Sequence, residues 1–274
     1  MSARPSGVSW TVTVALAATA GCGGAGPLLH PAHVEPEGVV TAGAGVAGQL
    51  VAGNAATQIQ AARETTVQGL APTPNADAKY RTGALAIAAL GPGVTPFVSG
   101  RVGVGWSNEA GITYTGRAIR LDVRHAFGDD EWAVSVGVGG HAMHGRPGAK
   151  PSGDLAGLGV EGVSGGGFDV PILGGWRSAA GLVQLWGGGR FFYERLGGAI
   201  CLRCDIPEAS ATGWSGTRFA GGGVLGFALG FRHVFVALEL DANYEAGSAS
   251  FDDGGTVSVS GFTVAPAGAV IGRF

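Results

Sequence analysis

The sequence predicts an all-β protein: a closed, antiparallel, up-and-down β-barrel of about ten strands, with 8 or 12 as alternatives. Three observations carry this. Apolar and polar residues alternate with period two through most of the chain from Gly38 onward, the signature of strands with two unlike faces. The connections between these runs alternate between short and long. And the chain ends on an apolar, alternating stretch, Gly261 to Phe274, where chain ends ordinarily fray and face water.

Composition narrows the class. Charged residues make up 14% of the 274 residues, well below the roughly one quarter of ordinary soluble domains. The formal net charge of −3 gives no basic footprint for nucleic acid. Glycine is abundant, at 53 residues, but without a three-residue period, so a collagen helix is excluded. No apolar run reaches the ~18 residues of a spanning helix.

Taken in order, the N-terminus reads as an address. Arg4 precedes an apolar stretch from Trp10 to Ala20, followed by Thr19-Ala20-Gly21-Cys22. This resembles a lipobox, the site at which bacterial lipoproteins are cleaved and acylated on the new N-terminal cysteine, with Thr19 where leucine is usual. The resemblance implies a signal peptide over 1–21 and lipidation at Cys22; the alternative is ordinary signal-peptidase cleavage after Ala18-Thr19-Ala20. Residues 22–37 then read as a flexible Gly/Pro tether, and 38–274 as the barrel.

Within 38–274, strands are expected to begin near Gly38, Arg81, Thr95, Ile112, Trp132, Gly159, Leu182, Gly216, Val234 and Thr256. Short turns fall at Gly91-Pro-Gly93, Gly128-Asp-Asp130, Ser178-Ala-Ala-Gly181 and Arg232-His233. Longer loops run over Val51 to Tyr80, Ser107 to Gly111, Met143 to Leu158, Leu196 to Ser215 and Gly247 to Gly255, the first holding a helix over Ala55 to Gln68. The clearest strand is Val234 to Tyr244. Val234, Val236, Leu238, Leu240, Ala242 and Tyr244 form one face, and Phe235, Ala237, Glu239, Asp241 and Asn243 the other.

Alternation does not say which face is inside. The polar face is mostly Gly, Ala and Ser, too poor in charge for a soluble exterior. The apolar face carries Trp106, Trp132, Trp176, Tyr193 and Phe231 near expected strand ends, where the aromatic girdles of a transmembrane barrel sit. The apolar face is therefore expected outward, in lipid, and the sheet must close because lipid cannot satisfy free backbone groups. Counting back from Phe274 places Phe262, Val264, Val270 and Phe274 outward and Thr263 and Arg273 inward. With this last strand the chain resembles the bacterial outer-membrane β-barrel proteins, which commonly end on an aromatic residue. That resemblance implies a Gram-negative outer membrane as the location, with the lipobox implying a lipid anchor at the N-terminus. It also implies membrane lipids and the barrel-assembly machinery as partners, with Phe274 as the assembly signal.

The inward set then contains Arg101, Arg120, Asp122, Arg124, Asp169, Gln184, Arg190, Glu194, Glu239 and Asp241. Mixed signs suit a paired network filling a narrow lumen better than a selective pore, which needs one sign to dominate. Cys201 and Cys204 are left as a pair once Cys22 is acylated, and a small structural disulfide is expected; the thioredoxin reading lacks a βαβ context and a zinc site lacks two ligands.

No chemistry is expected. The glycine triplets at 165–167, 187–189 and 221–223 lie inside strands, not before helices, so they are no phosphate cradle. They should instead make room for inward Trp186, Arg190 and Phe192. No Gly-x-Ser-x-Gly elbow is present. His141 and His144 fall on opposite faces, and His141 reads as an exposed loop start rather than a metal ligand. No cofactor and no metal are expected. The function expected is that of a plugged barrel with a structural or surface-interaction role; the alternative is a narrow pore for small solutes.

Overall fold

A computed structural model describes residues 26–67, 74–144, 159–201 and 211–274. The strands are β1 (Val40–Ala52), β2 (Gly93–Gly105), β3 (Asn108–Tyr114), β4 (Ala118–Gly128), β5 (Trp132–Met143), β6 (Gly159–Arg177), β7 (Val183–Cys201), β8 (Thr212–Phe231), β9 (Val234–Phe251) and β10 (Thr256–Arg273). Helices α1 (Asn54–Val67) and α2 (Pro74–Leu90) lie between β1 and β2. Each strand pairs antiparallel with its sequence neighbours, and β10 returns to β1, so the barrel has no free edge.

The register shows how the sheet is wound. Pairing followed from Val40 through Val102, Ala110, Val123 and Val138, across to Val170 at the register of Gly139 with Asp169, and on through Phe191, Gly221, Tyr244 and Phe262 arrives back on β1 at Ala52, twelve residues above its start. That stagger is how a closed barrel of tilted strands accommodates its hydrogen bonds, at a tilt of roughly 35–45°.

Parity within each strand sets the faces. Leu121, Val136, Ile172, Leu225, Leu238 and Val270 are exposed on the outside, while Arg120, Ser135, Asp169, Val224, Glu239 and Ala269 alternate with them inside. Two aromatic belts bound this apolar band. At one end stand Trp106, Phe127, Trp132, Phe231 and Phe274, all outward and exposed. Toward the other stand Tyr114, Phe168, Tyr193, Tyr244 and Phe262, where Phe168 packs on Tyr193 and Tyr244 on Phe262. A charged core inside an apolar wall with aromatic rims is the build of a transmembrane β-barrel. Among the described residues no helix is long and apolar enough to cross a membrane; strands do the crossing.

The two ends differ. Both Val40 and Phe274 lie at what we term the turn end, where their backbones exchange hydrogen bonds of 3.0 and 2.8 Å. The other connections there are the turns after β2, β4, β6 and β8. The loop end carries the helical hairpin and the longer β5–β6 and β7–β8 connections.

Ten strands were expected and ten are found, but two expectations within that number are corrected. The strand expected from Arg81 is helix α2. Its run Ala84-Leu-Ala-Ile-Ala-Ala-Leu90 is buried on every side, so it shows no face by which period could be read, and alanine and leucine favour helix. The single strand expected from Ile112 is two, β3 and β4, broken at Thr115-Gly116-Arg117, where Gly116 has φ +79°. Correspondingly, the long loop expected over Ser107 to Gly111 is a two-residue hairpin. Trp106 and Ser107 both sit in the left-handed region there, as a primed turn requires. The helix expected over Ala55 to Gln68 is α1.

The flexible tether expected over 22–37 is also corrected for the part that is described. Residues 26–37 do not hang free at the turn end. They run inside the barrel from the loop half to the turn end, where Glu37 bridges to Gly103 and Gly38, at φ +80°, turns the chain into β1. Leu28, Leu29 and Ala32 are buried against Phe97, Ala133, Leu173, Trp186 and Ala228.

Candidate functional site: the filled lumen

The lumen is occupied in two layers. Toward the turn end, charges of alternating sign form a chain across the barrel. Arg101 joins Glu109 and Asp122, the latter at 2.5 Å; Arg120 joins Asp122 and Asp169, the latter at 2.8 Å; Arg190 joins Asp169 at 3.0 Å and approaches Asp241 at 3.7 Å. The members come from β2, β3, β4, β6, β7 and β9, so the network ties six strands across the interior. Each guanidinium offers five donors in a planar fork, which lets one arginine serve two carboxylates at once. Buried ion pairs of this kind are costly to desolvate and worth little net stability, but removing one partner strands the other.

The N-terminal segment is bonded into this layer mainly through its backbone. Glu239 accepts the N–H groups of Leu28 and Leu29 at 2.7 and 2.8 Å, and the Trp186 indole N–H at 3.0 Å. Leu29 is held at φ 47°, which turns consecutive amides toward one carboxylate, the concave arrangement of backbone N–H groups that binds anions. Arg190 donates to the carbonyl of Gly26 at 2.8 Å, and Arg124 to those of Pro31 and His33, the latter at 2.9 Å. Glu109 accepts the Glu35 N–H at 2.9 Å, and Arg273 pairs with the Glu35 carboxylate at 2.8 Å.

The second layer lies toward the loop end. Arg218 pairs with Glu194 and with Glu245, the latter at 3.1 Å; His141 lies 2.6 Å from Glu194; the Thr263 hydroxyl donates to Glu245 at 2.5 Å. Arg218 also donates to the Ala89 carbonyl near the end of α2, one of the last-turn carbonyls a helix cannot satisfy itself. Above it the hairpin packs its buried face, Tyr80, Ala84, Leu85 and Leu90, against Met143, Leu196, Ile200, Trp214 and Phe251 of the wall. Arg81 clasps Asp253 in the β9–β10 turn at 2.5 and 2.6 Å. That clasp holds the Asp253 carboxyl below its usual range. At the turn end, Asp129 is likewise held low, by the N–H groups of Trp132 and Glu131.

Arg101, Arg120, Asp122, Arg124, Asp169, Arg190, Glu194, Glu239 and Asp241 all face the lumen and are buried. Glu194 falls in the upper layer and the other eight in the lower. Gln184 lines a small cavity at the turn end with Arg273 and Glu35. Glu109, Arg218, Glu245 and His30 join the lumen without having been singled out. Glu245 continues the inward parity of Glu239 to Asn243, which is the signal that could have found it. Glu109 was hidden by reading its hairpin as a loop. His141, expected as an exposed loop start, is corrected: it is buried in the upper layer, because β5 runs on to Met143. His144 is exposed, so the two histidines do point apart. Among the described residues no group of three His, Cys, Asp or Glu side chains is placed to hold a metal. Cys22 and Cys204 lie outside the described residues; Cys201 ends β7.

The glycines of β6 to β8 lie inside strands, as expected, and Gly226 and Gly230 of β8 show what they accommodate. A Cβ on Gly226 would fall on the Trp186 indole, and one on Gly230 on the Phe235 ring. Two large inward side chains thus lie flat against the neighbouring strand.

No family model matches the chain, and no curated protein matches it. Among solved structures it is similar to a major outer membrane protein from Thermus thermophilus, at 10% identity over 86% of this chain and 99% of that one, with a TM-score of 0.34. It is similar to Neisserial surface protein A at 11% identity, over 86% and 96%, with a TM-score of 0.31. It is similar to Ail, the attachment invasion locus protein of Yersinia pestis, at 11% identity, over 87% and 99%, with a TM-score of 0.27.

Proposed function

We propose that the protein is an outer-membrane β-barrel lipoprotein with a closed lumen, which acts structurally or through the surface of its loop end and does not conduct solute. The observation that carries this is the bonding of residues 26–37 inside the barrel. Two backbone N–H groups and three backbone carbonyls of that segment are satisfied by Glu239, Arg190 and Arg124. A conducting pore needs a continuous wet path and a lining of one dominant sign. This lumen holds paired charges of both signs, crossed by its own chain below and capped by a helical hairpin above.

The test is a planar-bilayer recording on folded protein, verified by a heat-dependent shift in gel mobility. Silence supports the closed barrel. Steady single-channel steps would establish the second reading, a narrow pore, for which the turn-end cavity beside Arg101, Arg124 and Gln184 is the vestibule. We propose no catalytic role.

Acylation at Cys22 belongs to the same reading. Cys22→Ser should abolish labelling by a fatty-acid probe, and persistent labelling refutes it. So does the Cys201–Cys204 link. It closes a very small loop, for which chain entropy gives only about 2 kcal/mol. The linked peptide should appear in unreduced mass maps, and freely alkylated thiols in exported protein would refute it.

A further inference from the structure

The direction in which residues 26–37 thread the barrel has a topological consequence. From Gly38 at the turn end the chain can be followed backward, up the lumen. Glu35 lies beside Arg273 and Glu109, Leu28 and Leu29 on Glu239, and Gly26 beneath Arg190. A Cβ built on Gly26 would stand 3.2 Å from the Thr115 methyl and 4.0 Å from that of Thr113. Thr113 lies in β3 and Thr115 opens the β3–β4 turn, at the loop end, and Tyr114 between them belongs to the aromatic belt of that end. The wall is short here, since β3 has 7 residues against 20 in β8. Among the described residues the helical hairpin makes its contacts mainly with β10, β1, β6, β7 and β9.

We propose that the exported chain threads its own barrel and presents its N-terminus at the loop end, over the β3–β4 turn. This rests on the outer-membrane reading above, in which the loop end faces the cell exterior, and it then places the N-terminus on the cell surface. Chain reach decides between the two leaflets. Cys22 is four residues from Gly26, and four residues span at most about 14 Å. The apolar band between the aromatic belts of such a barrel is roughly 25 Å tall. Gly26 is already level with the outer belt. The periplasmic leaflet is therefore out of reach, and the lumen toward it already holds residues 27–37. An acyl group on Cys22 is then within reach of the outer leaflet; after ordinary signal-peptidase cleavage, a free amine stands at the same end.

The experiment uses an epitope inserted between Gly23 and Gly24 in the full chain, probed by antibody on intact and on permeabilised cells. Two further chains carry the same epitope in the β7–β8 connection and in the Trp106-Ser107 turn. The N-terminal epitope should label on intact cells as fully as the β7–β8 epitope, with the Trp106-Ser107 epitope silent until permeabilisation. If the β7–β8 epitope labels intact cells and the N-terminal one does not, threading is overturned while the outer-membrane reading stands. If instead only the Trp106-Ser107 epitope labels intact cells, the orientation in that reading is wrong, and surface placement of the N-terminus falls with it. A second measurement guards against an insertion that dislodges the segment. Gly26→Cys with Thr115→Cys, and no epitope, should give a cross-linked peptide in unreduced mass maps. Its absence from folded, heat-modifiable barrel overturns the threading.

Discussion

Replacing Glu239 tests whether the lumen is a built plug or a loose filling. Its carboxylate is the shared acceptor for Leu28 N–H, Leu29 N–H and the Trp186 indole, all buried. Glu239→Ala strips one acceptor from three donors. Each buried donor left without a partner costs about 1–3 kcal/mol, so the variant loses about 3–9 kcal/mol if the segment stays in place. The molecule has a cheaper response: Leu28 and Leu29 can leave the wall and find water, so the measured loss is limited by the free energy that docks the segment. Amide exchange read by mass spectrometry separates the two. Peptides covering residues 26–37 should exchange roughly 100-fold faster, about 3 kcal/mol of lost protection, while peptides of β7 to β9 keep theirs. Glu239→Gln, which retains one carbonyl oxygen, should fall between parent and Ala. Leu238→Ala, one residue away but facing lipid, should leave exchange of the segment unchanged. If Glu239→Ala leaves that exchange at the parental rate and global unfolding in vesicles shifts by under about 0.5 kcal/mol, the segment is not held by the lumen and the reasoning fails.

Three other perturbations probe the wall and the cap. Gly226→Leu drives a side chain into the Trp186 indole across a hydrogen-bonded strand pair, so the barrel should fail to assemble; a normal heat-modifiable band would refute the packing. Deleting Gly261 to Phe274 removes most of the pairing of β10 with both β1 and β9 and should abolish assembly, since each unsatisfied backbone group in lipid costs several kcal/mol. Phe274→Ala, which keeps the backbone bonds to Val40, should only slow it, and full-rate assembly of the deletion would refute the closure. The Arg81–Asp253 clasp should respond to acid. Because the folded carboxyl titrates below its unfolded value, the clasp contributes fully above the unfolded value of ~3.9 and is lost as pH falls through the lower folded one. Exchange protection of α2 should therefore hold at about pH 5 and weaken only in stronger acid; weakening already near pH 5 would refute the assignment.

What could be read from the sequence alone was whatever is written in strict period two against a single boundary. Val234 to Tyr244 states its two faces residue by residue, and the last strand does so back from Phe274. The scarcity of charge on the polar face said which face meets lipid. Hence the closed barrel, its inverted polarity and most of the lumen network were legible. Local pattern failed where it carried no face at all. Ala84 to Leu90 is apolar on all sides, so nothing in it distinguishes a strand from the helix that caps the barrel. The β3–β4 break rests on three residues, across which the outward face switches from even-numbered positions (Ile112, Tyr114) to odd-numbered ones (Ile119, Leu121, Val123), and reading through it cancelled the spurious strand at Arg81. The N-terminal segment was the furthest from reach. Gly26 to Glu37 has the composition of a solvated linker, and nothing local orders it. Its position is decided by Glu239, Arg124 and Arg190, distant in sequence, whose unspent hydrogen-bonding capacity inside a lipid-walled barrel can be met only by polar groups brought into the lumen. Only closure of the sheet brings those side chains together, so only the tertiary structure could place the segment among them.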